Sequence, residues 1–174
     1  MPSNVEIKAK VSDYKHFLSL LENLSGKTGE VILQEDIFFH SPQNRLKLRI
    51  LKNSPSQLIS YSRPDQVGPK LSKFFISEIS KPNDLKIVLS TSLGIKGVIK
   101  KERLLFHAGQ TRIHLDKVEN LGCFVELEVI LREDQTCEEA GKIVEDLMQK
   151  LNVKESDLIK CAYIDLLEQI SEDL

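Results

Sequence analysis

The segment RLKLRI alternates Arg45, Lys47 and Arg49 with Leu46, Leu48 and Ile50, a period of two that an extended strand sorts into one ionic and one apolar face. The pattern recurs along the chain. Glu6, Lys8 and Lys10 alternate with Val5, Ile7, Ala9 and Val11; Lys101 and Arg103 share a face, as do Arg112, His114 and Asp116; Glu126 and Glu128 face away from Val125, Leu127 and Val129. Strands are expected over 5–11, 32–39, 45–51, 57–63, 73–80, 97–106, 110–117 and 124–132, separated by turn-rich stretches such as SPQN, KNSPS and ENLG. About eight strands with few helices between them argue antiparallel connections, hence a barrel or a sandwich rather than a doubly wound parallel sheet.

Four helical segments accompany these strands. Ser12 is placed to cap a helix whose Phe17, Leu18, Leu21 and Leu24 form a stripe ending near Gly26, and Pro82 opens a short insertion closed by Gly94. Thr136 caps a helix carrying Ala140, Ile143, Val144, Leu147 and Leu151; Ser156 or Asp157 is expected to cap a last one carrying Leu158, Ile159, Ala162, Leu166 and Leu167. These stripes need an apolar surface, and the apolar strand faces are the available partner.

Two arrangements satisfy two-sided strands: an open sheet with its ionic face in water, or a closed barrel with helices outside and charges lining the lumen. A solvated face normally mixes Thr, Ser, Gln and Lys, whereas here Arg and paired Glu recur at i, i+2, which favours the barrel. Enclosing such charges is expensive, since like charges ~4 Å apart repel by about 4 kcal/mol at an effective dielectric near 20. A charged lumen therefore predicts a ligand. Arg and Lys walls suit phosphate oxygens, and a carboxylate cluster suits a hard divalent ion, so both in one channel point to metal-triphosphate chemistry.

The 174 residues carry a net charge of -2, without the overall basicity of a duplex-DNA wrapper, so no nucleic acid is expected as partner. No apolar run approaches the ~20 residues of a membrane helix, and the start, MPSNVEIKAK, has no signal-like apolar segment; a cytoplasmic protein with no membrane association is expected. Cys123, Cys137 and Cys161 are too few and too scattered for a disulfide framework or a zinc site. Neither linker nor repeat divides the chain, and a single domain over 1–174 is expected.

VEIKAKV, RLKLRI, SYSRPD, the KKER strand, LDKVENLGCFVELEV and AYIDLLEQ, in that order, resemble the CYTH superfamily of triphosphate tunnel enzymes. The spacing is most similar to the class IV adenylyl cyclase-like branch, with thiamine triphosphatases as relatives. The resemblance implies an α+β fold, an eight-stranded antiparallel β-barrel with helices packed outside, whose lumen binds a triphosphate such as ATP, thiamine triphosphate or tripolyphosphate with Mg²⁺ or Mn²⁺. It implies phosphate-binding positions at Lys8, Lys47, Arg49, Arg63, Lys101 and Arg103, and metal-binding positions at Glu6, Asp116, Glu126 and Glu128. The motif's first acid is replaced by Asn4, which removes one negative charge and puts turnover in question. Lys10, Arg45, Lys100 and Arg112 are read as rim or counter-ion residues, His114 is given no catalytic role, and no catalytic residue is assigned. Hydrolysis is preferred, with cyclisation of ATP to cyclic AMP and pyrophosphate, or binding without turnover, as alternatives.

Overall fold

The computed structural model describes residues 2–172. In chain order the elements are β1 (Ser3–Lys10), α1 (Tyr14–Ser25), β2 (Glu30–Phe39), β3 (Arg45–Leu51), β4 (Ser56–Ser62), β5 (Lys70–Ile79), α2 (Pro82–Leu93), β6 (Ile95–Ala108), β7 (Thr111–Val118), β8 (Gly122–Ile130), α3 (Cys137–Lys150), β9 (Leu158–Ile159) and α4 (Tyr163–Glu172). Strands β1 to β8 form one antiparallel sheet in the order β5-β4-β3-β2-β6-β7-β8-β1, and β1 pairs back onto β5 from Ser3↔Lys73 to Glu6↔Lys70. The sheet is thus an eight-stranded closed barrel, the second of the two arrangements that alternation allows, in an α+β single domain. Closure leaves no long edge unpaired.

The apolar strand faces point outward, under the helices. Val5, Ile7, Ala9, Ile113, Leu115, Val125, Leu127 and Val129 pack against Phe17 and Leu21 of α1 and Ala140, Val144 and Leu147 of α3. On another side Ile37, Phe39 and Leu48 receive Leu85 and Leu89 of α2. Thr136 begins α3 with a reciprocal capping box to Glu139, as its spacing predicts.

Two helix starts differ from the expectation. Asp13, not Ser12, caps α1, its carboxylate accepting from the His16 N–H at 3.1 Å. The last helix begins at Tyr163 rather than after Ser156 or Asp157: Glu155–Asp157 is a 3₁₀ turn, and Leu158 and Ile159 pair with Ala9 and Lys8. The cause is an open stretch of β1. β5 pairs with β1 only as far as Glu6, so the next backbone groups would lie unpaired on a buried strand. β9 fills that gap, and α4 then starts at the barrel end with Asp165 accepting from the Ala162 N–H at 3.0 Å.

α4 closes this end of the barrel. Ala162, Tyr163 and Ile164 pack with Phe38, Ile99, Val118 and Phe124. Gly97 permits the approach, because a Cβ there would collide with the Ile164 side chain. Among the described residues no helix is long and apolar enough to cross a membrane.

Candidate functional site

Cross-strand register places the ionic residues against one another inside the barrel. On β1 and β8, Glu6 stands opposite Glu128 and Lys8 opposite Glu126; Arg103 of β6 faces Asp116 of β7, and Asp36 of β2 faces Arg49 of β3. Alternation turns every second side chain inward, so Lys8, Lys47, Arg49, Arg63, Lys101, Arg103, Glu6, Glu126 and Glu128 all line one cavity of about 310 Å³. The lining joins the predicted phosphate-binding residues to three of the four predicted metal residues.

The deepest cluster surrounds Asp116, which is 0% exposed. Arg103 donates through Nε and Nη2 to its two oxygens at 2.7 Å each, and through Nη2 to Glu126 at 3.0 Å. The Tyr163 hydroxyl donates to Asp116 Oδ2 at 2.9 Å, and Lys101 Nζ lies 3.9 Å from the same oxygen. Burial alone would raise the Asp116 carboxyl, but Arg103 and Lys101 outweigh it and hold it below its ordinary value. With both oxygens engaged, Asp116 acts here as the anchor of Arg103 and stands behind the lumen wall.

A second cluster lies across the lumen. Asp36 accepts from Arg49 Nε and Nη2 at 2.9 Å each and from Lys47 at 3.2 Å. Burial opposes its ionisation, yet the guanidinium and the ammonium hold it well below the usual carboxylate range. On β1, Lys8 Nζ lies 3.5 Å from Glu126, 3.4 Å from the Cys161 carbonyl and 3.7 Å from the Tyr163 ring centroid. Beyond β4, Arg63 donates through Nη1 to Glu6 at 2.9 Å. Its Nε and Nη2 are buried without a partner among the described residues.

Basic side chains outnumber carboxylates in this lining, and the lysines register the excess. Burial and the neighbouring Arg103 push Lys101 down to about 7; burial and Arg49 push Lys47 down to about 8. Lys70, behind Glu6, is held at about 8 by burial and Arg63 while it donates to the Lys160 and Gln66 carbonyls at 2.7 and 3.2 Å. Such crowding of cations is unfavourable without an anion to absorb it.

One part of the lumen has the opposite character. His114 Nδ1 and one oxygen from each of Glu126 and Glu128 lie within 4.8 Å of one another, a nitrogen-and-carboxylate set that suits a divalent ion. Burial and Arg103 lower His114 below its ordinary value. Glu6 stands across from Glu128 but is engaged by Arg63, and burial together with Glu128 raises its carboxyl. Asn4, at the position of the missing acid, is buried with Oδ1 unpartnered among the described residues.

The far mouth of the lumen is apolar on one side. Ile32 precedes Phe38 by six residues on β2, about 20 Å along a strand, and so lies away from the Tyr163 plug. Leu51, Ile76 and Leu105 line the cavity with it. Lys10 and Lys100 are exposed; Arg45 reaches Asp65 at 2.7 Å and Asp165 of α4 at 3.4 Å, and Arg112 pairs with Glu128 at 3.0 Å.

Sequence reasoning leaves the role of Asp36, a candidate for the lumen face, unresolved, gives His114 no catalytic role and does not single out Tyr163. Asp36 shares the inward parity of Gln34 and Phe38, which was the available signal. Tyr163 gave only a weak one, a single aromatic at the head of an aliphatic helix. His114 shares a face with Asp116, but its nearness to Glu126 follows from β7–β8 register, which alternation alone does not reveal.

Comparison with known proteins agrees with this architecture. A Methanocaldococcus jannaschii protein provisionally named an adenylate cyclase is 28% identical over 93% of this chain and 97% of its own. The solved structure of PH1012 from Pyrococcus horikoshii superposes with a TM-score of 0.83 at 26% identity, covering 94% of this chain and 98% of that one. HpAC1 from Hippeastrum, an adenylyl cyclase candidate described as having a dominant triphosphatase activity, shares the fold with a TM-score of 0.68 at 15% identity, over 97% and 96% of the two chains. The CYTH domain model matches residues 3–163, nearly all of the barrel and its plug, and the chain therefore belongs to the CYTH family.

Proposed function

We propose that the lumen binds an organic triphosphate and hydrolyses it with Mg²⁺ or Mn²⁺. The observation that carries this reading is the unspent positive charge: two buried donors of Arg63 lack partners, and Lys101 is pushed to about 7 beside Arg103. A polyanion with several oxygens satisfies both. In this reading Lys8, Lys47, Arg49, Arg63, Lys101 and Arg103 hold phosphate oxygens and neutralise charge as the terminal P–O bond breaks. Glu126 and Glu128, with Glu6 and Asp116 behind them, are the residues toward a divalent ion, which when bound supplies Lewis-acid stabilisation of the phosphate oxygens.

The aliphatic mouth of Ile32, Leu51, Ile76 and Leu105 favours an organic over an inorganic substrate, since it offers apolar surface to a ring beyond the phosphates. Glu30, Ser54 and Gln57 line the same cavity, but the aliphatic contacts themselves select weakly among rings, by only about 10- to 200-fold. That weak selection favours hydrolysis, which needs a placed water, over cyclisation, which needs the ribose 3′-hydroxyl aligned on the α-phosphorus. Incubation with ATP, thiamine triphosphate and tripolyphosphate plus Mg²⁺ or Mn²⁺, read by product chromatography, is expected to release orthophosphate. Cyclic AMP with equimolar pyrophosphate would instead establish the cyclase reading. Binding without product would make Asn4 the defect, and Asn4→Glu should then produce turnover.

Binding should also depend on pH. Lys101 is about half deprotonated near pH 7 in the free protein, and a bound polyanion restores its charge by offsetting burial and the Arg103 repulsion. Binding above that pH is thus linked to proton uptake, and affinity should fall from pH 7 to 9 by up to about tenfold per unit for each lysine involved. Calorimetry in buffers of different ionisation heat, corrected for the ligand's own titration, measures the uptake. Proton release would contradict this assignment.

A further inference from the structure

His114 lines the lumen but belongs to neither the phosphate sites nor the predicted metal sites. Its side chain is buried, at 6% residue exposure. Nδ1 has no hydrogen-bond partner among the described residues, although it points at two carboxylates, 3.6 Å from Glu126 Oε2 and 3.8 Å from Glu128 Oε1. Both separations exceed the 2.7–3.2 Å of a hydrogen bond to oxygen. Two ligands of a first-row ion, each about 2.1 Å from it, lie roughly 3.0–3.4 Å apart, so a small inward shift brings the three atoms onto one ion. Glu128 Oε1 is left to such an ion, since Arg112 takes the other oxygen of Glu128; at Glu126 the ion competes with cations, because Oε2 accepts from Arg103 Nη2 at 3.0 Å and Oε1 lies 3.5 Å from Lys8 Nζ.

We propose that His114 Nδ1, Glu126 and Glu128 form a mixed nitrogen–oxygen triad that holds a first-row divalent ion, Mn²⁺ in preference to Mg²⁺. The chemistry follows from the ligand set. Mg²⁺ takes oxygen ligands almost alone and dehydrates reluctantly, whereas imidazole suits the transition ions. This deepens the triphosphate reading by naming the metal class, and it is tested without any phosphate, so that the two readings fail separately.

Mn²⁺ and Mg²⁺ are titrated by calorimetry into the wild-type chain and into His114→Gln, with folding of the variant checked by circular dichroism. Pulsed electron paramagnetic resonance is recorded on the Mn²⁺-loaded wild type. The wild type should bind Mn²⁺ more tightly than Mg²⁺ and show nitrogen modulation from one coordinated imidazole. In His114→Gln the modulation should vanish, and Mn²⁺ affinity should fall at least about tenfold while Mg²⁺ affinity changes less than about threefold. Should the variant not fold, the wild-type modulation and metal preference decide alone. Absence of imidazole modulation in the wild type, or an equal loss for both metals in the variant, would overturn the triad. Imidazole modulation in a protein that fails to bind tripolyphosphate would support the triad and sink the triphosphate reading alone.

Discussion

Arg103→Met should lower the melting temperature by roughly 6–20 °C, the largest effect expected of any lumen substitution. Asp116 has no exposed surface and accepts both of its short ionic hydrogen bonds from Arg103; Glu126 accepts a third. Methionine fills a similar volume and provides no donor. Breaking a buried pair by removing one partner typically costs about 3–5 kcal/mol, because the other charge stays buried and uncompensated. In a chain of this length each kcal/mol moves the midpoint by about 2–4 °C. Lys101 compensates only in part: losing Arg103 favours its charged form, but at 3.9 Å from one Asp116 oxygen it makes no hydrogen bond there. Differential scanning calorimetry of the two proteins measures the shift, and a drop of under about 2 °C would show that Arg103 is not the counter-charge of Asp116.

Arg63→Met should do the reverse, sparing stability and removing binding. Arg63 spends one nitrogen on Glu6 and keeps Nε and Nη2 unpartnered, so its remaining capacity is directed at something absent from the chain itself. Loss of the Glu6 pair is cushioned, since burial and Glu128 already raise that carboxyl and it can take up a proton instead. Hydrogen bonds to charged groups contribute about 1.5–3 kcal/mol, so tripolyphosphate affinity should fall by about 10- to 150-fold. Lys154→Ala, at an exposed residue before the 3₁₀ turn, is the matched control and should leave affinity unchanged. Isothermal calorimetry of the three proteins decides; equal affinity in Arg63→Met would remove this guanidinium from the ligand site.

The contrast between these two arginines marks what the sequence could show. Alternation in VEIKAKV, RLKLRI and FVELEV placed Glu6, Lys8, Lys47, Arg49, Glu126 and Glu128 on one face, and the unplaced helical stripes required that face to be the inner one. Alternation assigns a side, however, not a neighbour. Whether an arginine is locked to a carboxylate, as Arg103 is, or left with free donors, as Arg63 is, depends on register and strand closure between residues far apart in the chain.

The same limit explains the plug. Leu158 and Ile159 carry helix-compatible spacing with Ala162 and Leu166, but the open stretch of β1 captures them as a strand. This brings Tyr163 to the end of the barrel, where its hydroxyl meets Asp116 and its ring meets Lys8. Asp116 was grouped with the metal carboxylates because the resemblance placed it there. Its position behind Arg103 is a tertiary fact, as is the approach of His114 to Glu126 and Glu128.

The central claim is that the inward charges form a site for a polyphosphate. Its most direct test is the melting temperature of the wild-type chain with and without tripolyphosphate and Mg²⁺. A ligand at about 100 times its dissociation constant stabilises by about 2.7 kcal/mol, which for this length is an upward shift of roughly 5–11 °C. That rise is the predicted result; an unchanged midpoint at millimolar ligand would contradict the account.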